Sequence, residues 1–151
     1  MLTVIRSTFC GQLIGHDVKS RAAQTYVFSS RIASGEGAPA SSGCRTGNAS
    51  FNIELANGGV GIIAGNTLVQ GPSAQNHKMV SYGAEGLIYD TNRLSVTGNR
   101  FVSTTGSIAI SDPPCIPVDL GTDNTFSGIS EIVDPPQCVL PTTPPTAASI
   151  F

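Results

Sequence analysis

Apolar and polar positions alternate along this chain in short bursts, and one burst recurs. The template apolar-x-x-[Ser/Asn]-x-apolar fits Val4-x-x-Ser7-x-Phe9, Val27-x-x-Ser30-x-Ile32, Ile63-x-x-Asn66-x-Leu68, Val96-x-x-Asn99-x-Phe101 and, more loosely, Gly121-x-x-Asn124-x-Phe126. The polar positions step by 23, 36, 33 and 25 residues. A basic unit of about 23–25 residues, lengthened in places by about ten, accounts for every step, and a repeat of that period is the signature of a solenoid. A second pattern, apolar-x-apolar, interleaves with the first at Val18-x-Ser20, Ile53-x-Leu55, Val80-x-Tyr82 and Ile108-x-Ile110. Period-two alternation sends the outer positions inward and the middle one to solvent. Turn sequences such as NGG, GAEG and TGN separate the strands, and helical periodicity is missing throughout.

These patterns predict an all-β chain folded as a right-handed parallel β-helix, a single-stranded solenoid of about five coils over residues 1–133, with a Pro-rich cap or tail over 134–151. One coil cannot bury its apolar side alone; stacking completes both the core and the strand hydrogen bonds. Like residues then form columns: Val4, Val27, Ile63 and Val96 in one, and Phe9, Ile32, Leu68, Phe101 and Phe126 in another. Asn66, Asn99 and Asn124 form an amide ladder. A β-sandwich is the competing architecture, but it does not require matched residue types at matched positions.

Composition agrees. The 151 residues include 17 Gly and 10 Pro, with only 12% charged residues, which suits a turn-dense β fold better than helices. A net charge of −2 without a basic cluster argues against a nucleic-acid partner. The apolar runs are far too short for a membrane-spanning helix. The N-terminus, MLTVIRSTFCGQ, lacks the apolar core of a signal peptide and already reads as strand and turn. A chain that begins mid-pattern reads as a piece of a longer one, with coils or a partner expected at its ends.

The four cysteines can pair in three ways, and the repeat alignment selects one. Cys10 and Cys44 precede Val18 and Ile53 by nearly equal distances, placing both at one turn of consecutive coils. Cys115 and Cys138 follow SDPP and VDPPQ, one basic unit apart. Pairs Cys10–Cys44 and Cys115–Cys138 would staple neighbouring coils and imply an oxidising location: periplasm, cell surface or medium. Four buried free thiols are the alternative. No spacing resembles a zinc site.

Candidate chemistry centres on HDVKSRAA, His16 to Ala23. Lys19 is expected to point outward beside Glu54 on the next coil and Ser81 on the one after, with Arg21 on the same face. Adjacent Lys and Arg can hold a sugar acid's carboxylate and stabilise the carbanion left when its α-proton is abstracted, and a lysine of lowered pKa can be the base. The simpler reading is a Lys19–Glu54 surface ion pair worth about 0–1 kcal/mol. His16 shares parity with Val18 and is expected to turn inward as a hydrogen-bonded structural residue. Asn76, His77 and Lys78 lie in a projecting insertion, where loops commonly hold ligands. His16, Glu54, Asn76 and Lys78 are therefore candidate substrate contacts. Asp17, Glu54, Glu85 and Asp90 are scattered, so the spacing reveals no calcium cluster, and no phosphate loop, nucleophile elbow or HExxH motif is present. Asn48-Ala49-Ser50 is an N-glycosylation sequon.

GHDVKSRAA, SFNIELANGG, GNTLVQGP and SYGAEG together resemble segments of bacterial right-handed parallel β-helix repeat proteins of the pectate-lyase-like superfamily, over about residues 2–128. That resemblance implies the fold, a polysaccharide as the partner class and, in several members, calcium as cofactor. Lyases and uronan epimerases belong to the same superfamily. The paired aspartates of its galacturonan hydrolases have no counterpart here. The reading that follows is an extracytoplasmic module, non-catalytic or incomplete, that contacts polysaccharide. The alternatives are a lyase or epimerase using Lys19 and Arg21, and a purely structural, adhesin-like surface module.

Overall fold

The computed structural model describes residues 1–35 and 47–140. Among them the only helical element is one 3₁₀ turn, Pro136–Cys138, and thirteen strands make up the rest of the regular structure. Every strand pairing is parallel. The chain is all-β, and its parallel sheets wrap one core in a nearly closed arrangement.

Three strand positions recur in each repeat. The first position holds β1 (Leu2–Ile5), β4 (Gln24–Phe28), β7 (Val60–Ala64), β10 (Arg93–Thr97) and β12 (Val118–Leu120), hydrogen-bonded in that order as one five-stranded sheet. The second holds β2 (Thr8–Cys10), β5 (Arg31–Ser34) and β8 (Thr67–Gln70), and the third β3 (Val18–Ser20), β6 (Ile53–Leu55) and β9 (Lys78–Tyr82). In the fourth and fifth repeats these two positions fuse into β11 (Arg100–Ser111) and β13 (Thr125–Asp134). The first part of β11 pairs with β8 and the last part with β9, and its pairing with β13 has register shifts between Val102 and Ile108.

The expected columns are present. Val4, Val27, Ile63 and Val96 are register partners in succession, as are Phe9, Ile32, Leu68, Phe101 and Phe126. Val27, Ile32, Ile63, Leu68, Val96 and Phe101 have no exposed surface, and burying each such side chain stabilises the fold by about 1.5–3 kcal/mol. The Phe101 and Phe126 rings stack at 5.2 Å. The amide ladder is also built: Nδ2 of Asn66 reaches Oδ1 of Asn99 (3.0 Å), and Nδ2 of Asn99 reaches Oδ1 of Asn124 (3.1 Å). Ser30 and Ser7 continue it downward, Oδ1 of Asn66 accepting the Ser30 N–H and Oγ of Ser30 accepting the Ser7 N–H.

The bend before each ladder residue has a fixed shape. Arg6, Ser29, Gly65 and Gly98 all adopt positive φ, at 48°, 49°, 67° and 60°. That left-handed conformation turns the first strand position into the second while leaving the following N–H aimed at the ladder. Glycine takes it freely; Arg6 and Ser29 do so at a cost of about 1–2 kcal/mol each.

Two expected alignments are off. Leu120, not Gly121, is the partner of Val96; the fifth repeat has one more residue in its bend, so the spacing to Asn124 is longer. Val80 pairs with Ile110, not Ile108. Fusion of two strands in β11 replaces the loop between β8 and β9 with fewer residues, so that Ser103 and Ile110 partner Gln70 and Val80 and the third position lies two residues from where it is expected. That shift keeps the parity of the alternation.

The Cys115–Cys138 disulfide is formed, across 23 residues. Cys44 lies outside the described residues, and the expected Cys10–Cys44 pair with it. After the 3₁₀ turn, Val139 makes a parallel bridge to Val118 and the Leu140 N–H bonds the Val118 carbonyl. The first part of the Pro-rich tail is thus tied over the last strand of the five-stranded sheet. No helix among the described residues is long and apolar enough to cross a membrane.

Candidate functional site

The third strand position places Lys19, Glu54, Ser81 and Ser111 in one outward row. Lys19 Nζ lies 2.8 Å from Glu54 Oε2, and His16 Nε2 lies 3.1 Å from the same oxygen. His16 stacks on Phe51, centroids 5.0 Å apart. Glu54 is nearly fully buried although its row faces outward, with His16 and Lys19 on its carboxylate, and a later segment closes over the two cations of the first repeat.

That segment runs from Gly83 to Asn92, between β9 and β10, and lies back over the two preceding repeats. Its main chain is fixed by Gly83 N–H to Leu55 O (2.8 Å), Glu85 N–H to Ala56 O (2.8 Å) and Ile88 N–H to Asn57 O (3.3 Å). Gly83 and Gly86, at φ 66° and 97°, make the sharp reversals that this path requires. The Tyr89 hydroxyl donates to the Arg21 carbonyl. Glu85 is thereby delivered to the two cations of the first repeat. Lys19 Nζ bonds its Oε1 at 2.6 Å, and Arg21 grips both oxygens, Nε to Oε2 at 2.9 Å and Nη2 to Oε1 at 2.9 Å.

The electrostatics follow from these contacts. Hydrogen bonds to Glu54 and Glu85 raise the Lys19 pKa above the ordinary lysine value. Those from Lys19 and Arg21 hold Glu85 below the usual carboxylate range. Burial, against the opposing pull of Glu54, lowers His16. A lysine acting as base needs a lowered pKa, and here the shift has the opposite sign.

The remaining expected contacts do not join this group. Asn76 donates to Ser50 Oγ at 2.7 Å and caps the Lys78 N–H at 2.9 Å, while Lys78 Nζ bonds Ser111 Oγ at 3.1 Å. Both residues are engaged in holding the insertion and β9 in place rather than projecting. His77 is exposed and contacts Thr105. Among the described residues no group of three or more His, Cys, Asp or Glu converges as a metal site.

Two further carboxyls, Asp17 partly buried and Asp112 fully buried, lie elsewhere. Asp17 accepts hydrogen bonds from Ser34 and Asn52, yet burial lifts its pKa to about 6. Asp112, without exposed surface, is likewise lifted to about 6 by burial, the amides of Ile116 and Cys115 offsetting part of the effect.

The outward face of the five-stranded sheet carries a different set. Thr3, Tyr26, Ile62, Ser95 and Asp119 form its central row, and Ile5, Phe28, Ala64 and Thr97 the row beside it. Tyr26 and Phe28 are half-buried with near-parallel rings 6.2 Å apart, 22° between planes. Further along, Ile62, Arg93, Ser95, Pro117, Asp119 and Leu140 line a shallow cleft of about 370 Å³, in which Ser95 Oγ bonds Asp119 Oδ2 at 3.1 Å. Sequence reasoning missed this face. The available signal was the i, i+2 pair of aromatics flanking inward Val27. Glu85 had no local signal at all, since its partners are 64 and 66 residues away.

The chain matches no protein-family model, no curated protein and no solved structure.

Proposed function

We propose that this chain is a right-handed parallel β-helix module of the pectate-lyase-like kind, extracytoplasmic and non-catalytic, that contacts polysaccharide through the outward face of its five-stranded sheet. The observation that carries this reading is the half-buried Tyr26–Phe28 pair on that outward face. The C–H-bearing side of a sugar ring packs on an aromatic plane, which combines apolar area with a polar edge. Arg93 and Ser95, two repeats away, and Asp119, three repeats away, supply charged and hydroxyl partners for ring hydroxyls. Successive strands spaced by about 4.8 Å suit an extended chain of sugars lying across them. The disulfide between Cys115 and Cys138 supports an oxidising location.

A lyase or epimerase centred on Lys19 and Arg21 is less well supported, because Glu54 and Glu85 together neutralise the two side chains and the Lys19 pKa is raised. Retention on polysaccharide-containing gels tests the binding reading, with a panel of neutral and acidic polymers and the variants Tyr26→Ala and Lys19→Ala. Retention lost in Tyr26→Ala and kept in Lys19→Ala is the expected result. No retention on any polymer would remove the reading and leave the structural, adhesin-like alternative. Unsaturated uronate product, detected by its ultraviolet absorbance, would replace it with the lyase.

A further inference from the structure

Each half of the Cys115–Cys138 bridge sits at the end of its own proline turn. The turn Asp112-Pro113-Pro114-Cys115 closes with the Cys115 N–H on the Asp112 carbonyl at 2.8 Å, and Pro135-Pro136-Gln137-Cys138 with the Cys138 N–H on the Pro135 carbonyl at 3.2 Å. Proline holds φ at about −65°, so both turns keep their shape without the sulfur–sulfur bond. The Asp112 N–H also bonds the Asp134 carbonyl at 2.8 Å, which fastens the end of β13 to β11 independently of the bridge. What the bridge secures is the strap that follows. Beyond Cys138 this strap meets the β12 main chain at the Val118–Val139 bridge and through the Leu140 N–H on the Val118 carbonyl, at 2.9 Å.

The two cysteines are unequally placed. Cys115 is exposed, whereas Cys138 is buried at 3%, so an external thiolate reaches the bridge from the Cys115 side. Cys115 also stands at φ 55°, a left-handed conformation that a side chain adopts only at a cost. Exposed bridges at strained positions are the ones that exchange.

We propose that Cys115 is a thiol-exchange site and that its bridge is a latch on the C-terminal strap, opened by a small external thiol of the glutathione class. The thiolate attacks the Cys115 sulfur. A new sulfur–sulfur bond forms there as the bond to Cys138 breaks, the electron pair leaves on the Cys138 sulfur, and that thiolate takes a proton from water. The product carries a mixed disulfide on Cys115 and a thiol on Cys138. With the latch open, residues 136–140 are free to leave β12. Their departure bares the main-chain edge of Val118–Leu120 and removes Leu140 from the cleft wall that it shares with Pro117 and Asp119. The inference stands on the bridge and the strap, not on the polysaccharide reading.

The test treats the folded, oxidised chain with reduced glutathione, quenches exchange with acid, and maps the adducts by peptide mass spectrometry. A glutathionyl group on Cys115 with Cys138 left as a thiol is the expected product. An adduct mainly on Cys138, or none until urea unfolds the chain, would overturn the proposal. Amide hydrogen exchange then reads the strap, in the wild type under excess dithiothreitol and in Cys115→Ser with Cys138→Ser, where Cys10 is untouched. The Leu140 amide should exchange about tenfold or more faster than in the oxidised chain, while the ladder amides of Asn66 and Asn99 keep their protection. An unchanged Leu140, or equal acceleration of the ladder amides, would show a bridge that serves the whole stack and would sink the latch.

Discussion

Asn66 and Asn99 are joined twice: the main-chain N–H and the side-chain Nδ2 of Asn66 both bond Oδ1 of Asn99, at 2.9 and 3.0 Å. Asn99 in turn donates to the carbonyls of Ile63 (2.8 Å) and Thr97 (2.9 Å). Truncating it leaves a buried donor and buried acceptors unmet. Asn99→Ala is expected to lose about 3 kcal/mol in urea unfolding, and Asn124→Ala, at the half-buried end of the ladder, clearly less. Equal losses at the two positions would mean that the ladder's interior has no special weight.

Ser29 holds a left-handed bend where the third and fourth repeats use glycine. Ser29→Gly is expected to raise stability by about 0.5–1 kcal/mol, the relief of the Cβ clash less glycine's larger unfolded-state freedom. Gly98→Ala at φ 60° should lose a comparable amount. The pair is checked by thermal unfolding; a destabilised Ser29→Gly would contradict the account.

Asp17 and Asp112 carry folded-state pKa values of about 6, above the ordinary 3.8. Protons then bind more tightly to the folded chain, so both contributions to stability are complete below about pH 4 and are lost as pH rises through about 6. Glu85 acts oppositely, its folded pKa being lowered from 4.5: its contribution is present above that value and fades as pH falls through the lowered one. The two aspartates therefore draw stability down between about pH 4 and pH 7, while His16, its pKa lowered by burial, acts in the opposite sense. Asp112→Asn should remove that residue's share of the decline, and a pH profile unchanged by the substitution would exclude the assignment.

Reducing the Cys115–Cys138 bridge opens a loop of 23 residues. The chain-entropy cost corresponds to about 3 kcal/mol. Cys115→Ala with Cys138→Ala should show that loss by calorimetry, and reductant should lower the wild-type transition by more than that of the double variant.

How much of this was legible in the sequence depends on whether the information was local. Columns such as Val27–Ile63–Val96 could be read because each repeat states its own parity and turn, and stacking copies that statement. Leu120 and Ile110 escaped because an added bend residue and a fused strand alter spacing without altering composition. The pairing of Lys19 and Arg21 with Glu85 escaped for a stronger reason. GAEG reads as an ordinary turn, and nothing near it indicates that the next ten residues fold back across two repeats. The Lys19–Glu54 pair, by contrast, was written in the strand register and is found at 2.8 Å.

The disulfide and the Val118–Val139 bridge both sit at the C-terminal end of the stack, whereas β1, β2 and β3 at the other end each have one strand partner. Under load the covalent loop from Cys115 to Cys138 ties the last repeat to its closing turn, so the chain between those two residues cannot be drawn out and the C-terminal end of the stack resists extension.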